Sequence, residues 1–184
     1  MKSSLAFLMF AVLAFLASPM FATPVQSAAT GGDTYLWHGE LVALDQTAKT
    51  ITVKSMVVGS ALEELGHFKA GDRVLLNWSG IDKYANAVNH AVRYDATKKF
   101  DERFAFPAEF VSFDATQRYV TFKAPIPAES ISKIESLKAG QWVTATSPHG
   151  ETSATHPIVA IRGYNDTASN SEWTFDESPA TAND

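Results

Sequence analysis

His149, Glu151 and His156 stand close together near the end of the chain. Imidazole is the commonest side-chain metal ligand, and two imidazoles with a carboxylate suit zinc or copper(II). His149 and Glu151 share one side of an extended segment, and His156 rejoins them if the chain between turns back. The spacing matches no established ligand motif, so the plainer reading is a solvated loop. The expectation is therefore no bound cofactor, with copper or zinc as the alternative.

Two carboxylates and two guanidinium groups recur at one constant separation: Glu40 with Glu109, and Arg93 with Arg162. A catalytic reading pairs a carboxylate acid or base with a cation that stabilises an anion. The structural reading is a cross-strand ion pair made once in each repeat. Residues kept in both copies of a duplication serve the shared fold first, and the second reading is preferred. Asp45 and Asp114 read the same way, as turn formers that accept backbone N–H bonds. His90 reads as a partly buried structural histidine, and His38 and His67 carry no assignable role. Trp37, Trp78 and Tyr84 could form an aromatic face that stacks sugars or grips a protein strand, or they are core. The chain has no Gly-x-Ser-x-Gly elbow, phosphate loop or His-Glu-x-x-His helix. A non-enzymatic protein is expected, with a hydrolase using Glu40 or Glu109 as the remotest alternative.

These residues are positioned by a duplication. With a shift of 69 residues, Gly39 to Lys54 lies on Ala108 to Lys123, Phe68 to Val74 on Leu137 to Val143, and Ala91 to Arg93 on Ala160 to Arg162. Each copy reads mainly as strand. Thr50 to Lys54 and Tyr119 to Lys123 alternate polar and apolar residues with period two, as do Arg73 to Trp78 and Trp142 to Thr146. First strands run from about Tyr35 to Leu44 and Phe104 to Phe113, and last strands from about Val88 to Tyr94 and Pro157 to Tyr164. Between the second and third strands, Ser60 to Phe68 and Glu129 to Leu137 carry apolar residues at helical spacing. Gly71 and Gly140 then release the chain into the next strand. The predicted fold is all-β with one short helix per repeat. Two tandem small β-barrels, residues 33–100 and 102–168, are preferred over a single closed eight-stranded sheet. An acidic polar tail follows at 169–184. A unit of roughly 65 residues buries too little surface to be stable alone, so the copies should pack on each other.

Each half resembles the small periplasmic barrels of the OB type, whose plan is a Gly-x-Val strand, an Asp-bearing turn, a Thr-Ile-Thr-Val strand and then Lys-x-Gly-Asp-x-Val. The pattern is most similar to the periplasmic copper-efflux chaperones, over Gly39 to Val92 and more faintly over Ala108 to Ile161. That resemblance implies a compact exported barrel. The family binds copper(I) through a His, two Met and a nearby Trp after the second strand. Here that stretch is Ser55-Met-Val-Val-Gly59 and Ala124-Pro-Ile-Pro127, and Met56 alone matches a ligand. Thioether ligands select copper(I), so the resemblance carries the fold without the copper site.

Composition narrows the classes further. The 184 residues include 20 acidic and 15 basic side chains, a net charge of −5, and no cysteine. Thiolate metal sites, disulfides, a cysteine nucleophile and a lipidated cysteine are excluded. An acidic chain lacks the basic field of a nucleic-acid binder. Lys2 followed by the apolar run Leu5 to Ala17, then Ser18-Pro19 and small residues, reads as a signal peptide and leader within residues 1–29. No Arg-Arg pair precedes the run, which fits general secretion. The protein is thus expected in the periplasm or secreted, not integral to the membrane after processing. It should act as a binding or assembly module for a protein or envelope partner.

Overall fold

The computed structural model describes residues 33–164, so the signal-peptide and tail expectations lie outside the described residues. The described chain is mostly strand: β1 (Thr34–Asp45), β2 (Thr50–Met56), α1 (Ala61–Glu64), β3 (Arg73–Ile81), β4 (Tyr84–Arg93), β5 (Ala105–Asp114), β6 (Tyr119–Pro125), α2 (Ala128–Ile134), β7 (Trp142–Pro148) and β8 (Ala160–Gly163). Short 3-10 turns follow α1 at Leu65–His67 and β7 at Gly150–Ala154. The first predicted helix is cut to a single turn because Gly66 weakens its continuation.

The turn chemistry is that of the sequence. Asp45 Oδ1 accepts the Ala48 N–H, and Asp114 Oδ1 accepts those of Thr116 and Gln117. Gly71 and Gly140 sit at φ +91° and +88°, a region open to glycine without strain. Alternation then sets the faces. In β1, Tyr35, Trp37, Gly39 and Leu41 point inward while Leu36, His38 and Glu40 point out.

Two tandem barrels are not what the pairings form. All eight strands lie in one sheet, ordered β2-β6-β5-β3-β4-β1-β7-β8, with β2 also paired to β1. Three ladders join one half to the other: β2 with β6, β3 with β5 and β1 with β7. The registers are reciprocal. Arg73 faces Glu109, and its counterpart Trp142 faces Glu40. Val53 faces Phe122, its own counterpart, at the centre of the β2–β6 ladder. Within each half, Glu40 faces Lys54 and Glu109 faces Lys123, with a bulge at matching places. Each half thus pairs three of its strands with the other half, and β8 ends the sheet with β7 as its neighbour.

The pairings also run in a ring: β1 to β2, β6, β5, β3, β4 and back to β1 through a short parallel bridge at Leu36–Tyr84 and Trp37–Ala85. The second half breaks this symmetry. Where β4 begins in the first half, the second has the 3-10 turn Gly150–Ala154. There the Ser153 hydroxyl donates to the Ala105 carbonyl in place of a backbone bridge. One main core fills the interior, with Trp37, Trp78, Phe106 and Phe122 in mutual ring contact. A small second cluster of Leu75, Phe100 and Ala105 lies on the other side of the β3–β5 pair.

Candidate functional site

The residues of the alternative metal reading are not brought together. His149 is mostly buried, stacked on Tyr35 at 4.9 Å between ring centroids. Its Nδ1 is bonded to the Arg103 carbonyl and its Nε2 lies 3.5 Å from Asp33 Oδ1. Glu151 reaches instead to Lys99 at 3.6 Å, and His156 Nδ1 contacts the Thr155 hydroxyl at 2.9 Å. Met56 ends β2, half exposed. Among the described residues, no group of three or more His, Asp or Glu side chains could hold a metal ion. The 3-10 turn explains this, because it directs His149 inward and Glu151 out.

For two of the three aromatic residues the core reading holds. Trp37 and Trp78 are buried, their ring centroids 5.1 Å apart, and Trp37 Nε1 donates to Ser147 Oγ at 2.8 Å. Both belong to inward positions of their strands, and only Tyr84 of the three is partly exposed. Among the described residues the exposed tryptophan is Trp142, on the outer face of β7.

The carboxylate pairs are ion pairs, but with lysine. Glu40 binds Lys54 at 2.8 Å and Glu109 binds Lys123 at 2.7 Å. Arg93 and Arg162 are not equivalent: Arg93 faces Val74, whereas Arg162 faces Thr144, one step on from the matching Val143. One extra residue before β8 shifts the register, and a one-residue shift sends a side chain to the other face. Tyr94 and Tyr164 are the true counterparts, donating to the Arg73 and Trp142 carbonyls. Arg93 accordingly makes a two-bond pair with Asp72, while Arg162 lies near His38. Burial, then the Arg162 charge, lower the His38 pKa against a backbone bond with Val143.

His90 is exposed rather than partly buried. Its Nδ1 lies 2.6 Å from Glu64 Oε1 and 3.3 Å from the Ser60 hydroxyl. A nucleophilic triad needs the hydroxyl on one ring nitrogen and the carboxylate on the other. Here both meet Nδ1, so the cluster acts as a clasp between α1 and β4. Partial burial raises the Glu64 pKa. Hydrogen bonds from the Ala91 N–H, Ser60 and His90, with the charge of His90, outweigh that and hold it below the usual carboxylate range.

What the sequence reading missed is a groove of about 320 Å³ on the outer face of β3, β5, β6 and β2. Its floor is Pro107, the Glu109–Lys123 pair and Pro125. Arg73 stands on one side, with Thr155 and Pro157 beyond the 3-10 turn on another. The Arg73 guanidinium lies over the Tyr94 ring at 5.3 Å, and Phe100 backs that ring edge-on. Arg73 forms no ion pair with an acidic side chain among the described residues. The groove lies beside the segment where the second half departs from the first. The available signal was the alignment at a shift of 69 residues, since Pro107 and Pro125 lie on His38 and Met56, and Arg73 lies on Trp142. No family model, curated protein or solved structure matches this chain.

Proposed function

We propose that the protein is an exported, non-enzymatic binding module whose ligand, an envelope component, sits in the groove beside Arg73. The observation that carries this reading is a guanidinium held in place by Tyr94 at a groove mouth, without a carboxylate partner among the described residues. The planar fork of arginine is pre-organised for bidentate recognition of a carboxylate or phosphate. The groove's volume is at the lower end of small-ligand sites. A duplication joined into one ring of strands closed as a barrel belongs to this proposal, as do the signal peptide and leader within residues 1–29 and a periplasmic or secreted location.

A diazirine-bearing residue at position 155 tests the reading in cells that export the chain. Light should link the groove to an envelope component, whereas the same residue at the exposed Ile81 should not. Equal labelling from both positions, or none from either, would overturn the groove as the functional site. Mass spectrometry of the exported chain should find it beginning after residue 22 or within 27–29, as the leader predicts.

A further inference from the structure

We propose that the groove recognises a saccharide bearing a single carboxylate, a uronide, with the carboxylate on Arg73. This inference rests on the groove being the binding site. Arg73 faces Glu109 across the β3–β5 ladder, but the Glu109 carboxylate is taken by Lys123 at 2.7 Å. The guanidinium therefore keeps its fork of donors, with the Tyr94 ring 5.3 Å beneath it. A carboxylate matches that fork with two parallel bonds.

The rest of the lining suits a sugar. Glu109 and Lys123 set an acceptor and a donor side by side on the floor, the arrangement that adjacent hydroxyls satisfy. Thr50 and Thr155 add hydroxyls, and Pro107 and Pro125 offer apolar C–H surface for a ring face. A peptide fits less well. β5 is paired to β3 and β6, and β6 to β5 and β2, so no free strand edge exists there for main-chain recognition. Net charge −5 disfavours polyanions at long range, which points to one carboxylate rather than a phosphate polymer.

The test is titration of the exported form with an aldobiouronic acid, a disaccharide with one uronate, and with its methyl ester. Amide shifts are followed by NMR. The acid should bind about tenfold or more tighter than the ester, the range of one charge-assisted bidentate contact, with shifts at Arg73, Glu109, Lys123 and Thr155. Arg73→Gln should weaken the acid far more than the ester and so remove that preference, and Arg73→Lys should recover only part of it. An unchanged thermal midpoint in Arg73→Gln separates lost recognition from lost fold. Equal binding of acid and ester in the groove overturns the uronide inference and leaves the groove standing, as does tighter binding of an acidic peptide there. Absence of groove shifts with acid, ester and peptide alike, together with no labelling from position 155, overturns both.

Discussion

At the scale of single residues, the side chains with the most chemistry in the sequence are largely spent on structure. His149 stacks on Tyr35, Glu151 meets Lys99, and Glu40 and Glu109 each hold a lysine on the neighbouring strand. Glu64 joins α1 to β4 by accepting the Ala91 N–H at 2.7 Å and contacting His90. Its folded pKa lies below the ordinary carboxylate value. The sign follows: its contribution to stability is fully present above the unfolded pKa of about 4.3 and is lost as pH falls through the lower folded value. Glu64→Gln should therefore lower stability at neutral pH and flatten its decline below about pH 4. Urea unfolding across an acid series checks this, and parallel curves for the two proteins would show that another carboxylate governs the decline. His38 has the same sign over a higher range, since burial and Arg162 depress its pKa and its contribution fades as pH falls below about 6.5.

At the scale of elements, much of the fold was legible because it depends on local patterns. Period-two alternation placed β1, β2, β3 and their counterparts to within a few residues, and Asp45, Asp114, Gly71 and Gly140 marked the turns that form. Partnership across the sheet was not legible, because alternation assigns a face to each residue without naming the neighbouring strand. Arg162 shows the cost. A gapless shift aligned it with Arg93, but an added residue before β8 puts it on a different rung. The groove was hidden for a related reason, since its lining comes from β2, β3, β5, β6 and the segment after the 3-10 turn. That turn also closes the second half where β4 closes the first. Its buried Ser153 hydroxyl bonds the Ala105 and Gly150 carbonyls at 2.7 and 2.8 Å. Ser153→Ala removes the single O–H that the two carbonyls share, leaving the buried Ala105 carbonyl short of a donor, and should cost about 1–3 kcal/mol of unfolding free energy. Chemical denaturation measures it. A loss within about 0.5 kcal/mol would place the substitution among neutral surface changes and show that β7 and β8 hold the turn unaided.

At the scale of the whole molecule, each half is the other's binding partner. The β1–β7 and β3–β5 ladders are the same contact made twice, and β2–β6 pairs a strand with its own counterpart. That is the self-complementary arrangement of a two-fold dimer, carried here within one chain and joined by the segment between β4 and β5. The joining segment has a minimum length. Arg93 faces Val74 and Ala105 faces Asn77 on opposite sides of β3. They are three residues apart along that strand and two strand spacings across it, roughly 14 Å. Deleting Asp95 to Arg103 leaves only Tyr94 and Phe104 between them, and three backbone steps span at most about 11 Å. The first half can then no longer reach its own second half, but it can reach that of a second copy, whose surface is identical. Light scattering should find the shortened chain as a strand-exchanged dimer with the circular dichroism of the parent. The deletion also removes Phe100, which covers Leu75, so a Gly/Ser segment of the deleted length in its place serves as the control. That chain loses the same packing but keeps the reach, and it should remain monomeric. A monomer from the shortened chain, or a dimer from both, would mean that the reciprocal ladders do not determine how the halves find each other. The same holds for a shortened chain that fails to fold while its Gly/Ser control folds, because the second copy offers every contact that the linker took away.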